Sequence, residues 1–419
     1  MQEYPTNSRY FTYRDGSLFV ENADLRQIAK EYATPVYVYS TQAILDVYQG
    51  YAKGLEGISH LIAFAVKANG NLAILNLLAK QGAGADLTSG GEMYLAQQGG
   101  IPANRMVFSG VGKTEAEIRR ALEAGILMFN VESEPELDAI ARIAQSMGKV
   151  APIAIRVNPE IDARTHKKIT TGLRENKFGI LWEQALPLYE KASKMDAVQI
   201  VGIASHIGSS LADTTPLLEA LDRLLSHYTT LSDMGIRLQY IDIGGGLGIN
   251  YKGENPESAE DYARKLKHHF QTTGATLILE PGRSIVGNAG LLLSQVTYIK
   301  RTPDKTFVVV DAGMNDLARP AIYEAYHAIV PVLAAGETET VEVVGPICES
   351  SDVFGRERVL PQCQEGDLLA VCSAGAYGFS MASYYNGRVR PAEVLVQGSQ
   401  HRLVRKRETV EDLARNQMV

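Results

Sequence analysis

The sequence predicts a (β/α)8 barrel of the TIM type together with a second, all-β domain. Between about Tyr39 and Ile285, eight apolar segments that end in glycine or a polar residue alternate with amphipathic stretches. This alternation is typical of a parallel sheet closed into a barrel. Beyond Ile285 the helical pattern fades and strand-like segments take over. With 419 residues the chain is long enough for both domains, since a barrel takes about 250 residues.

The beginning of the chain predicts a hairpin, a short helix and one strand. Asp15 and Gly16 separate two strand-like segments, and glycine accepts the positive φ that a tight hairpin turn requires. The stretch from about Asp24 to Tyr32 predicts a helix, and the letters PVYVYS predict the strand that follows. We expect the hairpin to belong to the β-rich domain.

The predicted barrel strands are LIAFAVKAN, GADLTS, MVFSG, LMFNVES, IAIRVNP, IVGIASHIGS, YIDIGGG and LILEPGR. Stretches such as TEAEIRRALEAG lie between them, with apolar residues at helical spacing and glycine near the C-terminal end. We expect the barrel to occupy 38–285. The β-rich domain, a sandwich or a small barrel, is then built from 1–37 and 286–419, so that the barrel interrupts it. Barrel active sites lie at the C-terminal ends of the strands.

Composition excludes several classes of protein. With 45% hydrophobic and 21% charged residues the chain has the composition of a globular protein. A net charge of -7 argues against a nucleic-acid surface. No apolar run approaches the ~20 residues that span a bilayer, and the first residues lack the features of a signal peptide. We therefore expect a cytoplasmic protein with no nucleic-acid or membrane partner.

The cysteines and histidines predict no metal site. Cys348, Cys363 and Cys372 are too few and too irregularly spaced for a disulfide framework or a zinc site. His268 and His269 are adjacent, so they point in different directions on a helix.

Lys67 stands at the end of the first barrel strand, after a run of apolar residues. A buried ammonium is unfavourable unless it is paired or deprotonated, and a tuned lysine is a common nucleophile toward carbonyl groups. The alternative is a lysine whose ammonium group is exposed to solvent at the end of the strand.

The ends of the last two strands predict an anion site. Gly244–Gly246 allow backbone N–H groups to approach an anion, and Gly282 with Arg283 adds a second loop beside them. Phosphate sites of barrel enzymes use the loops after strands seven and eight. The alternative is a pair of tight turns without a ligand.

Two further strand ends carry side chains that suit a heterocyclic ring. Glu280 follows the three apolar residues Leu277–Leu279, where a carboxylate needs a cation or a protonated nitrogen as a partner. Arg283 could supply that cation, or Glu280 could hold a proton on a ring nitrogen. His206 could be a core histidine or could stack on a flat ring. An attacking lysine, a phosphate cradle, an acid for a pyridinium and a stacking imidazole together describe pyridoxal 5'-phosphate.

These residues also lie in motifs that resemble one family closely. AVKAN, HIGS, GGGLG, EPGR, GPICESSD and GAYGFSM are similar to successive motifs of the diaminopimelate decarboxylases, which belong to the alanine-racemase-like, fold type III class of pyridoxal-phosphate enzymes. Ala163–Ile180 resembles the mid-barrel signature of that family, and the similarity extends from about Tyr13 to Glu408.

The resemblance assigns roles to individual residues. It implies cofactor contacts from Lys67, Asp86, His206, Ser209, Gly245, Glu280, Gly282, Arg283 and Tyr377. Lys67 is expected to form the Schiff base, His206 to stack on the ring and Glu280 to bind the pyridine nitrogen. The resemblance also implies that Cys348 donates a proton after decarboxylation. The alternative is that Cys348 is only a small, buried side chain. Active sites in this family are shared in a homodimer, so Tyr377, Cys348 and Glu349 are expected to reach the site of the partner subunit.

Substrate contacts are expected from Arg283, Arg319, Tyr323, Glu349 and Tyr377. Arg319 and Tyr323 are four apart and face one side of a helix, where they suit a carboxylate, and Glu349 suits an ammonium. Alternatively, Arg319 and Glu349 pair with each other. A carboxylate and an amine at the far end of the substrate indicate meso-2,6-diaminopimelate, which gives L-lysine and carbon dioxide in the last step of lysine biosynthesis.

Three other functions stay open at this point. A decarboxylase of ornithine, lysine, arginine or carboxynorspermidine would need Arg319 only if its substrate carries a second carboxylate, at the end away from the reacting carbon. A racemase of the same class is disfavoured, because racemases place an arginine where this chain has Glu280. A catalytically idle cofactor-binding protein is disfavoured by the segments after Ile285 and by the motif around Cys348.

Overall fold

The protein is described here from a computed structural model that covers residues 4–161, 177–270 and 273–418. Most of the predicted signature segment Ala163–Ile180 lies outside these ranges. None of the helices in the described ranges is both long and apolar enough to span a bilayer.

The strands in chain order are β1 (Phe11–Arg14), β2 (Ser17–Val20), β3 (Ala23–Asp24), β4 (Val36–Ser40), β5 (His60–Ala65), β6 (Gly84–Leu87), β7 (Met106–Phe108), β8 (Met128–Val131), β9 (Ala151–Asn158), β10 (Ile180–Leu181), β11 (Val198–Ala204), β12 (Tyr240–Asp242), β13 (Thr276–Leu279), β14 (Gly290–Arg301), β15 (Thr306–Val310), β16 (Ile329–Pro331), β17 (Thr338–Val344), β18 (Val353–Pro361), β19 (Leu368–Val371), β20 (Ala392–Gln397) and β21 (Gln400–Arg405). The helices are α1 (Leu25–Tyr32), α2 (Thr41–Gly54), α3 (Leu72–Ala79), α4 (Gly90–Gln98), α5 (Glu115–Ala124), α6 (Glu134–Ser146), α7 (Trp182–Ala192), α8 (Thr215–Asp233), α9 (Ala259–Phe270), α10 (Arg283–Val286) and α11 (Arg319–Tyr323).

The chain forms two compact units. The barrel unit consists of Val47–Gly248 and Pro256–Ser284. The β-rich unit consists of Met1–Asp46, Ile249–Asn255 and Ile285–Val419.

The barrel unit contains a closed ring of parallel strands in the order β5, β6, β7, β8, β9, β11, β12 and β13. Strand β13 pairs again with β5, with Leu277 opposite His60, which closes the ring. All eight predicted barrel strands are present, so the predicted fold of this part is confirmed. Strands β6, β7 and β8 are buried along their whole length, because a barrel strand faces side chains inside and helices outside.

Several helices of the barrel unit begin at capping side chains that follow a strand end. Ser89 and Ser133 accept a backbone N–H in the first turns of α4 and α6. Thr114 and Glu117 form a capping box at α5, which ends at Gly125 in the left-handed conformation. These caps fix where each strand gives way to its helix, and therefore where the strand-end side chains lie.

The β-rich unit is built around the long strand β14, which pairs with β4, β15 and β19. Its large sheet has the order β18, β17, β15, β14, β4, β20 and β21, with β16 attached through β19. Apolar side chains from these strands, among them Val38, Leu291 and Val394, form its core. The predicted hairpin is confirmed by the pairing of Arg14 with Ser17, and the predicted helix is α1, with Asp24 as its N-cap.

Two segments of the predicted barrel range, 38–46 and Ile249–Asn255, belong to the β-rich unit. The predicted barrel range 38–285 includes the last residues of β4, yet β4 pairs with β14 and β20 in the large sheet of the β-rich unit. All five residues of β4 are buried. A fully buried strand has the same apolar pattern in a barrel as in a covered sheet, so the pattern alone could not distinguish them.

Candidate active site

Lys67 lies in a single 3₁₀ turn, Val66–Ala68, directly after β5. Its Nζ donates a hydrogen bond to Oδ2 of Asp86, whose side chain is completely buried at the end of β6. Ala65 and Asp86 are in register across the two strands, which brings the ammonium and the carboxylate together. The lysine at the first strand end is therefore paired with an acid, as an ammonium group in a partly buried site requires.

A cavity of about 190 Å³ lies at the C-terminal ends of the barrel strands. Its lining includes Lys67, Ser109, Asn130, Arg156, His206 and Glu280. Three of the predicted catalytic residues, on strands far apart in sequence, thus surround one space.

Glu280 is 8% exposed and follows β13. Burial, together with the nearby acids Asp242 and Asp86, raises the pKa of the Glu280 carboxyl well above its usual range. A carboxyl group with this environment is neutral unless a cation or a protonated nitrogen lies against it.

His206 is held as a neutral ring. Its Nδ1 accepts a hydrogen bond from the N–H of Gly245 at 3.2 Å, so the ring proton is on Nε2. Burial and the positive charges of Arg156 and Lys67 lower the pKa of His206 well below its usual range. A neutral imidazole in a fixed orientation presents a flat face to the cavity.

The predicted anion cradle has no room for larger residues. A Cβ on Gly245 would lie 2.4 Å from the backbone oxygen of Glu280, and one on Gly282 would lie 2.9 Å from Cβ of Ala68. Gly244 adopts a positive φ of 68°. These close approaches require glycine and bring the two predicted loops side by side.

Ser209 and Arg283 meet at the same place. Nε and Nη2 of Arg283 each donate to Oγ of Ser209 at 3.2 Å. The guanidinium and the hydroxyl together supply donors of the kind that bind phosphate oxygens.

Sequence reasoning missed a set of buried polar residues beneath and beside the cavity. Glu132 accepts hydrogen bonds from Nη1 of Arg156 at 2.7 Å and from the N–H groups of Gly110 and Gly179. The guanidinium of Arg156 lies over the ring of Phe178 at 5.1 Å. Arg156 therefore holds one wall of the cavity through a buried ion pair.

Asn130 and Asp242 form the second missed group. Nδ2 of Asn130 donates to Oδ2 of Asp242 at 3.0 Å and to Oγ of Ser109 at 3.1 Å. All of the missed residues are polar side chains at the ends of apolar strands, the same signal that singled out Lys67. Applying that rule to every strand end would have found them.

The predicted residues Arg319 and Tyr323 lie on the short helix α11 of the β-rich unit, as expected. Nη1 of Arg319 donates to the Tyr251 hydroxyl at 2.9 Å and lies 3.0 Å from Nε2 of His327. Its guanidinium also lies over the Tyr251 ring at 4.8 Å. These contacts fix the position of the Arg319 guanidinium within the β-rich unit.

Cys348 and Glu349 lie in an exposed turn of the β-rich unit. The backbone N–H of Cys348 donates to Oδ1 of Asn386 at 2.7 Å. Hydrogen bonds from Tyr385 and Ser351 lower the pKa of Glu349, which favours its charged form.

Tyr377 is half-buried and adopts a positive φ of 56°. Its neighbours Gly375 and Gly378 are closely approached by backbone oxygens of the same unit, so the loop around Tyr377 has little freedom.

The cavity fits a flat, polar cofactor. Three buried polar atoms at these strand ends, Oδ1 of Asp86, Oδ1 of Asn130 and Oγ of Ser205, have no hydrogen-bond partner among the described residues. Unsatisfied buried polar atoms are unfavourable and indicate a missing partner. The amine, the two acids and the anion cradle have the chemistry that a phosphorylated pyridine aldehyde requires.

Comparison with known proteins agrees with this arrangement. Residues 42–287 match the family model described as the pyridoxal-binding domain of pyridoxal-dependent decarboxylases. The fold and the site thus define a decarboxylase of the pyridoxal-dependent class.

The individual relatives are more specific. The diaminopimelate decarboxylase of Aquifex aeolicus is 50% identical over 401 residues, which is 95% of each chain. The crystal structure of diaminopimelate decarboxylase from Helicobacter pylori complexed with L-lysine has a TM-score of 0.91 and 44% identity, and covers 93% of this chain and 98% of that chain. The M. jannaschii enzyme in co-complex with L-lysine has a TM-score of 0.94 and 41% identity, and covers 99% of both chains. The chain belongs to the diaminopimelate decarboxylase family.

Proposed function

We propose that this protein decarboxylates meso-2,6-diaminopimelate to L-lysine and carbon dioxide, the last step of lysine biosynthesis, with pyridoxal 5'-phosphate as its cofactor. The main support for this proposal is that Lys67, His206 and Glu280 line the same cavity. The relatives named above support the choice of substrate, since enzymes with this name share about half of the sequence over nearly the whole chain. Two of the similar structures hold L-lysine, the product that the proposal requires.

Each predicted cofactor contact has a physical reason. Lys67 offers the amine for the aldehyde, and Asp86 stabilises its positive charge. Glu280 would hold the protonated ring nitrogen, and the neutral ring of His206 would stack on the pyridine ring. Ser209, Gly245, Gly282 and Arg283 hold the phosphate. When bound, the cofactor supplies the π system that takes up the electron pair of the broken C–C bond.

The residues of the β-rich unit complete the reaction. Arg319 and Tyr323 would bind the far carboxylate of the substrate, and Glu349 would bind the far ammonium. Arg283 and Tyr377 are further proposed substrate contacts. The thiol of Cys348 gives its proton to Cα after carbon dioxide has left. We propose a homodimer in which Cys348, Glu349 and Tyr377 each serve the site of the partner subunit. As part of a biosynthetic pathway the enzyme would work in the cytoplasm.

Carbon dioxide release tests this proposal against its rivals. Purified protein should release carbon dioxide from meso-diaminopimelate and form L-lysine, with far lower rates on ornithine, lysine, arginine and carboxynorspermidine. A preference for ornithine would contradict the assignment. Loss of optical activity without gas release would indicate a racemase. Lys67→Ala is the matched inactive control.

Mixed dimers test the sharing of sites. Lys67→Ala and Glu349→Ala subunits, each inactive alone, should recover part of the activity when mixed, because one site of the mixed dimer contains neither substitution. A mixture that stays inactive would contradict shared sites.

A further inference from the structure

Two acids meet beneath the cavity, and only one of them was expected there. Asp242 ends β12 and Glu280 follows β13. These strands are parallel neighbours, with Asp242 opposite Ile278. Both side chains are buried, with residue exposures of 1% for Asp242 and 8% for Glu280, and Asn130 and Ser109 link them through hydrogen bonds.

Two buried carboxylates on neighbouring strands repel each other, so we expect one of the two acids to carry a proton. The surrounding donors show which acid carries it. Oδ1 of Asp242 accepts from the N–H of Gly244 at 2.9 Å, and Oδ2 accepts from Nδ2 of Asn130 at 3.0 Å. Glu280 has a weaker contact with Oγ of Ser109, at 3.5 Å. Two N–H donors stabilise the charged form of Asp242, so the proton belongs to Glu280.

The orientation of Asn130 supports this assignment. Its Nδ2 points toward both Asp242 and Ser109, while Oδ1 has no partner among the described residues. The reverse orientation would place the amide oxygen against the carboxylate of Asp242. In this orientation the amide donates to Asp242, and such a donor favours the charged form of that carboxyl group.

We propose that Asp242 is a positioning residue that keeps a proton on Glu280, ready for the ring nitrogen of the cofactor. When the cofactor binds, the O–H bond of Glu280 breaks, an N–H bond forms at the ring nitrogen, and Glu280 remains as a carboxylate against a positive ring. The proton moves within the site, so this step takes none from solvent. The inference rests on the proposed contact between Glu280 and the ring nitrogen.

Other charged groups face the pair, and their effects agree with a proton on Glu280 and a negative charge on Asp242. Asp86 on β6 adds negative charge, which raises the pKa of both acids, while Lys67 lowers the pKa of Glu280. Burial is the largest cause in each case, and it raises the pKa of Asp242 to about 6. The guanidinium of Arg156 and the neutral ring of His206 line the same cavity. At neutral pH, Asp242 is therefore charged while Glu280 is protonated.

Infrared difference spectroscopy of the unmodified protein tests the proton directly. The C=O stretch of a protonated carboxylic acid is separate from the bands of a carboxylate. Cofactor-free protein at neutral pH should lose one such acid band when pyridoxal phosphate is added. The same loss should be absent from Glu280→Gln. Binding of the cofactor without loss of an acid band in the unmodified protein would overturn the proposal.

Calorimetric titration of pyridoxal phosphate in two buffers of different ionisation enthalpy tests the role of Asp242. In Asp242→Asn the negative charge of Asp242 is gone and the amide can donate to Glu280, which favours the charged form of Glu280. Binding should therefore take up more protons than in the unmodified protein, with an upper limit of about one, and the ratio of the two dissociation constants should grow with pH by up to about tenfold per unit. Asp138→Asn, an exposed acid of the barrel unit, is the matched control and should behave like the unmodified protein.

Equal proton uptake in Asp242→Asn and the unmodified protein would overturn the role of Asp242. If Asp242→Asn fails to fold, which circular dichroism would show, the infrared result decides. Failure of the proposed function looks different. In that case the unmodified protein would not bind pyridoxal phosphate, or Lys67→Ala would bind it equally well.

Discussion

Gly245→Ala is the sharpest steric test of the site. Gly245 does not have a positive φ, so the backbone itself would accept alanine. The new Cβ would lie 2.4 Å from the backbone oxygen of Glu280, whereas real Cβ contacts essentially never fall below 3.0 Å. The carbonyl group must therefore move by about 0.6 Å, and it cannot rotate away as a side chain would.

This displacement should have two measurable effects. Overpacking of this kind destabilises a protein by about 1–3 kcal/mol. The shift also displaces Glu280, the proposed partner of the ring nitrogen, and a loss of ~1.4 kcal/mol in binding raises the dissociation constant tenfold. We expect Gly245→Ala to bind pyridoxal phosphate at least about tenfold more weakly, as measured by titration of the visible absorbance.

Gly112→Ala is the matched control. Gly112 also lacks a positive φ and has no atom within 4 Å of an added Cβ. It should bind the cofactor like the unmodified protein. Unchanged cofactor affinity and unchanged unfolding free energy in Gly245→Ala would refute the claim that the close approach of the two loops shapes the site.

Three further predictions concern buried acids. Glu132→Gln should lower the unfolding free energy by about 3–5 kcal/mol in denaturant titration, because it leaves the charge of Arg156 buried without its partner. Asp352→Asn should lower kcat about tenfold and leave the cofactor absorbance unchanged, because its carboxylate accepts two backbone N–H groups around the turn of Cys348 and an amide can accept only one. Asp316→Asn should flatten the pH dependence of unfolding: burial raises the pKa of Asp316 to about 7, so the folded state loses stability as pH rises from about 4 to about 7.

Each of these predictions has its own control. Glu134→Gln, the same exchange at an exposed ion pair, should change stability by less than about 1 kcal/mol. Loss of the cofactor absorbance in Asp352→Asn would show that the substitution acts on more than the turn. The control Asp138→Asn should keep the full pH dependence of unfolding. If Asp316→Asn also keeps it, that result contradicts the sign assigned to Asp316.

Strand ends were the most informative positions in the sequence. A barrel strand is apolar on both sides, so a polar residue at its end stands out, and Lys67, His206 and Glu280 could be identified before the structure was known. The same rule applied to Asn130 and Asp242, but these residues have no reactive chemistry of their own. Their importance comes from contacts with residues distant in sequence, which only the closed ring of strands brings together.

The assignment of β4 shows the limit of apolar patterns. The stretch Val36–Ser40 is fully buried. Burial of both faces selects the same apolar residues in a barrel strand as in a covered strand of the β-rich unit. Its partners β14 and β20 lie far along the chain. Pairing over such distances leaves no local signal in the sequence.

The covalent position of the cofactor tests the central claim most directly. Borohydride reduction of the purified protein fixes pyridoxal phosphate to the amine that holds it, and peptide mass spectrometry then locates that amine. We expect the added mass on the peptide that contains Lys67, the amine paired with Asp86 at the edge of the cavity. The added mass on another lysine, or on none, would contradict the account.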